Sequence, residues 1–482
     1  MVRYDSSIQS IFVDGKWCSA YSNQTEAVYN PATLEAITEV SYGGQKETIE
    51  AVKAAKMAFP EWSELSPRKR SNILYKASEY MLEDVDRLGT ILTMEQGKPL
   101  KEAKGEVKGA ASFLRWYAEE ANRLYGEWIP SSNTRNRLLV IPQPIGVVGA
   151  ITPWNFPSSM ITRKIGPALA AGCTVVLKPA PETPLSAIEI IKILEKAGIP
   201  KGVVNLVTGN AEEIGREFLS NKDVRMITFT GSTKVGKYLM KESAEHVKKV
   251  SLELGGHAPI LVFDDADLDV AAELTLGSKF RNSGQTCICA NRVYVQSSIW
   301  EAFNEKLTEK VKELKLGNGL DDGTTMGPLI NQQAIEKAED HLKDATSKGA
   351  EVLFEGEKQK NDLQGYFYPP TVLGNVSGDM KVMNEETFGP IIPLQPFDDE
   401  KTAMNWANDT DYGLAAYIFT ENYRRSVRVS EKLEYGIVGI NEVFPARAEA
   451  PFGGIKQSGI GKEGGHYGIE EFVEHKYIAS SI

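Results

Sequence analysis

The sequence predicts an α/β protein with two largely parallel sheets and a small β appendage. Three observations carry this reading. Strand-like runs at 147–152, 174–178, 203–207, 226–230 and 250–254 alternate with helical patterns, a rhythm that builds a parallel sheet covered on both faces. A second alternation runs from Ala258 to about Glu442. At 482 residues the chain also exceeds what one hydrophobic core supports, so two or three domains are expected.

Taken in order, residues 11–41 read as short strands broken by turn signals at Asp14-Gly15 and Asn30-Pro31. From Glu47 to about Tyr125 the pattern is helical. Ala51, Ala54, Ala55 and Ala58 recur at helix spacing, and Ser66-Pro67 opens another helix with proline in its first turn. Phe113, Trp116, Tyr117 and Leu124 form an aromatic stripe that reads as core packing. Residues 128–144 read as a hairpin inserted between two blocks. Helices are expected over 185–197 and 234–249 in the first alternation. The second carries strands at 260–263, 293–296, 352–355 and 437–441, with helices at 300–314 and 332–348. After Pro451 the chain is glycine-rich to Gly468 and ends in a strand-like segment, 472–479, able to pair with the hairpin or with another subunit. The expected division is 1–124 with 145–254, then 255–450, and 125–144 with 451–482.

Composition excludes several classes. No run of about 18 apolar residues exists, so a membrane span is not expected. The N-terminus, Met1 to Ser6, lacks a charged-then-apolar signal pattern. A formal charge of −11, with both signs interspersed, disfavours a nucleic-acid partner and fits a cytoplasmic protein. Four cysteines (Cys18, Cys173, Cys287, Cys289) and five scattered histidines give neither a disulfide framework nor metal-ligand spacing, so no metal is expected.

The chemistry centres on residues 278–292. Cys287 follows Gly284-Gln285-Thr286, with Arg281 and Asn282 close by, and a cysteine in such a polar turn presents its sulfur to a surface. A buried structural thiol is the alternative. A free thiol is only a few per cent thiolate at neutral pH, so a catalytic Cys287 needs a base, a cation or backbone dipoles. Four other stretches offer help. Thr230-Gly231-Ser232 ends a strand where a helix begins, a place that attracts phosphate; its spacing is not G-x-G-x-x-G, and a plain strand-to-helix turn reads equally well. Lys178 at a strand end can reach a ribose hydroxyl or a phosphate. Asn155, in a loop stiffened by Pro153 and Pro157, is a candidate oxyanion donor. Glu253, between Leu252 and Leu254, is a partly desolvated carboxylate suited to a general base, or else an outward-facing strand residue.

In this order, Pro153-Trp154-Asn155-Phe156-Pro157, Lys178-Pro179-Ala180, Phe229-Thr230-Gly231-Ser232, Leu252-Glu253-Leu254-Gly255-Gly256, Gly284-Gln285-Thr286-Cys287, Glu385-Glu386-Thr387-Phe388-Gly389-Pro390 and Pro451-Phe452-Gly453-Gly454 resemble the aldehyde dehydrogenase superfamily over essentially the whole chain. The resemblance implies that family's fold: a Rossmann-like dinucleotide-binding domain (1–124 and 145–254), an α/β catalytic domain (255–450), and an oligomerisation hairpin and tail (125–144 and 451–482) that make a homodimer or homotetramer. It implies Cys287 as nucleophile, Glu253 as base and Asn155 as oxyanion donor. Lys178 would meet the adenosine ribose, Gly231 and Ser232 the pyrophosphate, and Glu386 the nicotinamide ribose with Phe388 beside it. Thr152, Trp154, Pro179, Ala180, Pro181 and Leu254 would complete the NAD or NADP site.

Within the superfamily the chain is most similar to the succinate-semialdehyde dehydrogenase branch, through Met160-Ile161-Thr162-Arg163-Lys164, residues 278–292 and residues 451–459. Arg163 and Arg281, with Phe452, would line the substrate pocket, and guanidinium groups suit a distal carboxylate. The branch usually carries a serine near Ala446; here Arg447 adjoins an alanine, so glutarate semialdehyde or another short aldehyde stands beside succinate semialdehyde as a candidate. Where NAD-strict relatives carry a glutamate three residues after the lysine, this chain has Pro181, with Glu182 next, so NADP⁺ acceptance is expected. A thiol esterase using the same residues without a nucleotide is the rival from another class. Cys289 reads either as a small packing residue or as a redox switch that condenses with oxidised Cys287.

Overall fold

The computed structural model of the chain describes residues 10–357 and 364–482. Residues 1–9 and 358–363, including the N-terminal stretch without a signal pattern, lie outside the described residues.

The first alternation folds into the parallel strands Val147–Ile151, Thr174–Lys178, Val204–Leu206, Val224–Thr230 and Lys249–Glu253. Numbered along the chain, they lie in the order 3-2-1-4-5. Antiparallel edges extend this to eight strands: Gly459–Ile460 beside Lys249–Glu253, and the Ile11–Val13/Lys16–Cys18 hairpin at the far side. That hairpin turns at Asp14 and Gly15, both left-handed, the conformation the Asp-Gly pair favours.

The order reverses between Val147–Ile151 and Val224–Thr230, which makes a crevice beyond their carboxyl ends. Register brings the chemistry-bearing ends together there: Thr230 pairs with Glu253, Phe229 with Ile151, and Ile151 with Lys178. Gly149 lies mid-strand because the Phe218 ring lies 2.9 Å from where a Cβ would stand.

The second alternation gives a seven-stranded sheet, in the order Glu351–Glu355, Thr371–Gly374, Ile391–Phe397, Ala290–Gln296, Ala258–Val262, Ala415–Phe419, Ile437–Ile440. All pairs are parallel except the first. The hairpin strands Glu127–Ile129 and Asn136–Pro144 form a separate antiparallel sheet with the tail strand Val473–Ser481, whose residues run from Val473 opposite Pro144 to Ser481 opposite Asn136.

The Leu100–Glu120 helix packs against Pro67–Glu83 and Pro157–Ala171. Phe113 and Tyr117 are buried within it, while Leu124 falls beyond its end. One expected helix is corrected: 234–249 ends at Ser243. A 3₁₀ turn and a left-handed Val247 follow, and Lys249 is drawn into the sheet opposite Met226. Among the described residues no helix is long and apolar enough to cross a membrane.

Candidate active site

Cys287 sits on a loop built by three successive left-handed residues, Asn282, Ser283 and Gly284. Side chains hold this unfavourable path. Glu102 accepts the Asn282 N–H at 2.9 Å, and Ser283 donates to the Gly327 carbonyl at 2.7 Å. The buried Gln285 amide accepts from Ile330 N–H and donates to Asn282 and Pro328 carbonyls. Only glycine fits at 284, because a Cβ there would overlap the Gly389 carbonyl. Residues 286–289 then form a turn closed by Cys289 N–H on the Thr286 carbonyl at 3.2 Å, and the strand expected at 293–296 follows directly, beginning at Ala290.

The two sheets meet at this loop. A Cβ on Gly256 would overlap the Cys287 carbonyl, so Gly255-Gly256 lets the end of the Lys249–Glu253 strand approach the cysteine. Asn155 is 4% exposed and donates through Nδ2 to the Gln285 carbonyl at 3.0 Å, tying its loop to the cysteine loop. The second Nδ2 hydrogen is left for another acceptor.

Cys287 and Asn155 line a cavity of about 430 Å³ with Trp154, Thr230, Gly231, Ser232, Leu254, Glu386 and Phe388. Glu253 is only 3% exposed, and neither carboxylate oxygen has a hydrogen-bond partner among the described residues. Burial first, then the charge of Glu463, push its pKa up to about 8; Arg163, Lys164 and Lys462 pull the other way. The Cys287 thiol is pushed well above its usual value by burial and then by Glu253. Burial thus opposes ionisation of both groups, and a carboxyl with its pKa raised to about 8 is suited to taking a proton from water.

The residues expected to hold a dinucleotide follow the same edge. Glu386 accepts the Gly256 N–H at 3.0 Å, and burial raises its pKa. Phe388, left-handed, meets Trp154 edge-on with centroids 5.6 Å apart. Ser232 caps the Thr233–Ser243 helix, and a Cβ on Gly231 would overlap the Phe229 ring. Pro181 and Glu182 line an adjoining cleft of about 540 Å³ with Glu26; both cavities share Ile330 and Asn331. Lys178, buried at the end of its strand, has its pKa lowered by burial, with Glu182 and Glu26 acting the other way. Thr152 N–H bonds to the Lys178 carbonyl at 3.1 Å, while Pro179 and Ala180 continue the same turn. A glycine-framed helix start and the Glu386 carboxylate on one cavity, with Lys178 at the end of a nearby strand, fit a dinucleotide.

Arg163, Arg281 and Phe452 do not line the 430 Å³ cavity. The Arg163 guanidinium lies 4.0 Å over the Phe452 ring; its Nε is 3.0 Å from Glu463 Oε2, off the line of a hydrogen bond, and its Nη2 has no partner among the described residues. Arg281 lies over Phe156 and Phe444 at 5.0 and 5.9 Å. Arg447 is exposed and paired with Glu442 at 3.0 Å. Cys289 is fully buried: its Sγ donates to the Gly284 carbonyl at 3.4 Å, and Lys279 Nζ lies 3.7 Å away.

Sequence reasoning missed Glu463, Lys164 and Lys337. Glu463 is a buried carboxylate in the glycine-rich tail, 2.5 Å from Lys164 Nζ, and Lys337 is a cation in the cavity wall. No local periodicity marks them; a charge among the tail glycines was the one available signal.

The chain matches the sequence pattern of the Aldehyde dehydrogenase family over residues 17–478. It is 52% identical to glutarate-semialdehyde dehydrogenase of Pseudomonas putida, covering 98% of each chain. It is 51% identical to the NADP(+) succinate-semialdehyde dehydrogenase of Escherichia coli, again over 98% of each. The solved succinate-semialdehyde dehydrogenase of Burkholderia pseudomallei superposes with a TM-score of 0.97 at 48% identity, covering 100% of both chains.

Proposed function

The chain belongs to the aldehyde dehydrogenase family, and from that premise we propose that it oxidises succinate semialdehyde to succinate with NAD⁺ or NADP⁺, glutarate semialdehyde being the alternative substrate. One observation carries the reading: Cys287 and the Asn155 amide share a cavity wall, and the strand ending in Glu253, whose buried carboxyl has no hydrogen-bond partner among the described residues, approaches Cys287 through Gly255-Gly256.

Cys287 releases its proton to solvent, the thiolate sulfur bonds to the aldehyde carbon, and the carbonyl π electrons move to the oxygen, which takes the charge. The Asn155 N–H left free by Gln285 and the Cys287 backbone N–H stabilise that oxyanion, each by about 3 kcal/mol. A nicotinamide held by Glu386 would supply the hydride acceptor, and with the hydride gone Cys287 would carry the acyl group as a thioester. Glu253 removes a proton from water, the hydroxyl adds to the thioester carbon, and the thiolate leaves as the acid forms. A base with a pKa near 8 is matched to that transfer.

Glu386 would hold the nicotinamide ribose; Gly231 and Ser232 would face the pyrophosphate, and Lys178 the adenosine ribose. Arg281, with Arg163 and Phe452, would set the distal carboxylate. The antiparallel sheet leaves Trp128 and Tyr477 exposed, which supports assembly of a homodimer or homotetramer through that surface. A cytoplasmic location fits the charge and composition. The test is a panel of succinate semialdehyde, glutarate semialdehyde and butanal, each with NAD⁺ and NADP⁺. Higher kcat/KM for the semialdehyde acids is expected; equal values for butanal would overturn the substrate class.

A further inference from the structure

Glu102 and Glu106, four apart on one face of the Leu100–Glu120 helix, lie beside Lys98, which precedes that helix by two residues. All three are turned toward the loops that carry Asn155 and Cys287. Lys98 and Glu106 have buried side chains and pair at 2.6 Å. Lys98 Nζ also donates to the Asn155 carbonyl at 2.8 Å and lies 3.8 Å over the Phe156 ring. Glu106 Oε1 accepts the N–H groups of Ser158 and Ser159 at 2.9 and 3.3 Å, the first turn of the Pro157–Ala171 helix. The ion pair thus grips residues 155–159 from both ends, the ammonium on a carbonyl and the carboxylate on two amides.

The grip continues to the nucleophile. Asn282 Nδ2 donates to the same Asn155 carbonyl at 3.0 Å and to the Gln285 carbonyl at 3.2 Å, while Glu102 holds the Asn282 backbone. Asn155 Nδ2 reaches that Gln285 carbonyl too. Two donors on one carbonyl fix the plane of the Asn155 peptide, and the peptide plane sets where the side-chain amide begins. A buried ion pair is a poor device for stability, since desolvation offsets its attraction. An oxyanion donor, however, must lie within about 3 Å of the developing charge, and a misplacement of about 1 Å costs about a hundredfold in rate.

We propose that Lys98 and Glu106 are positioning residues that set the Asn155 amide against Cys287. The proposal rests on Asn155 acting as the oxyanion donor. The test is a stopped-flow cycle on the full-length enzyme, with saturating NADP⁺ and succinate semialdehyde, comparing wild type, Asn155→Ala, Lys98→Met and the double variant. The readout is the first-turnover rate of cofactor reduction, with NADP⁺ affinity measured separately by calorimetry.

Asn155→Ala is expected to slow the first turnover by about 10²–10³-fold. Lys98→Met should slow it by about tenfold to a hundredfold. Because Lys98 acts through Asn155, adding Lys98→Met to Asn155→Ala should change the rate by less than about twofold, whereas independent effects would multiply. Unchanged NADP⁺ affinity is expected throughout. Multiplicative losses, or a Lys98→Met rate equal to wild type, overturn the proposal. No loss in Asn155→Ala overturns the oxyanion reading itself and takes the proposal with it. Should Lys98→Met fail to fold, Lys98→Met/Glu106→Gln removes both charges, leaves no orphaned buried carboxylate, and is judged by the same criteria.

Discussion

Replacing Glu253 by glutamine should make the protein more stable in alkali than the wild type. The carboxyl's usual pKa of 4.5 is pushed up to about 8, chiefly by burial. Below pH 4.5 it is protonated in folded and unfolded chains alike, so the two proteins differ little. As pH rises, the unfolded chain releases the proton while the folded one retains it, and wild-type stability falls by about 1.4 kcal/mol per pH unit. Above the folded pKa the loss levels off at about 5 kcal/mol, the product of the shift and that slope. Glutamine keeps the shape and cannot ionise. Unfolding entropy of about 2.1 cal/mol/K per residue gives about 1 kcal/mol/K for this chain, so the melting temperatures should separate by about 5 °C. The assay is thermal melting of both proteins from pH 5 to pH 9. The gap should be near zero at pH 5 and widen through pH 8. A constant gap, or a wild type that is the more stable at pH 9, would refute the burial argument.

Arg281→Ala should raise KM for succinate semialdehyde with little change for butanal, since losing a charge-assisted pair costs about 1.5–3 kcal/mol. Arg163→Ala should discriminate less between the two aldehydes, because Glu463 already shares its charge; equal losses on both aldehydes in the Arg281 variant would count against a carboxylate site. Glu182→Gln should shift the kcat/KM ratio toward NADP⁺ by about tenfold, because the glutamate's charge faces Lys178; an unmoved ratio would leave Glu182 no part in cofactor choice. After mild peroxide and then dithiothreitol, wild type should recover more activity than Cys289→Ala if Cys289 resolves oxidised Cys287. Equal recovery would make it a packing residue.

The parallel sheets were legible because strand and helix periodicities are local, and the runs ending at Thr230 and Glu253 carry their turn residues with them. The cysteine loop was legible as a polar, glycine-containing turn, although the left-handed Asn282 and Ser283 within it leave no mark in the sequence pattern. What could not be read depends on contacts distant in sequence. Glu463 is buried only because the tail returns beneath Lys164, 299 residues away in sequence. Lys98 reads as a helix-start charge until the Asn155 carbonyl closes on it. The end of the Thr233–Ser243 helix is likewise set by sheet pairing at Lys249 rather than by a breaker in the sequence.

The most direct measurement is a single turnover of Glu253→Gln with NADP⁺ and succinate semialdehyde, quenched in acid, with the mass of the Cys287 peptide determined. The base variant is expected to give one equivalent of reduced cofactor and a succinyl group retained on Cys287. An unmodified Cys287 with no burst of reduced cofactor would contradict the division of labour between thiol and carboxylate.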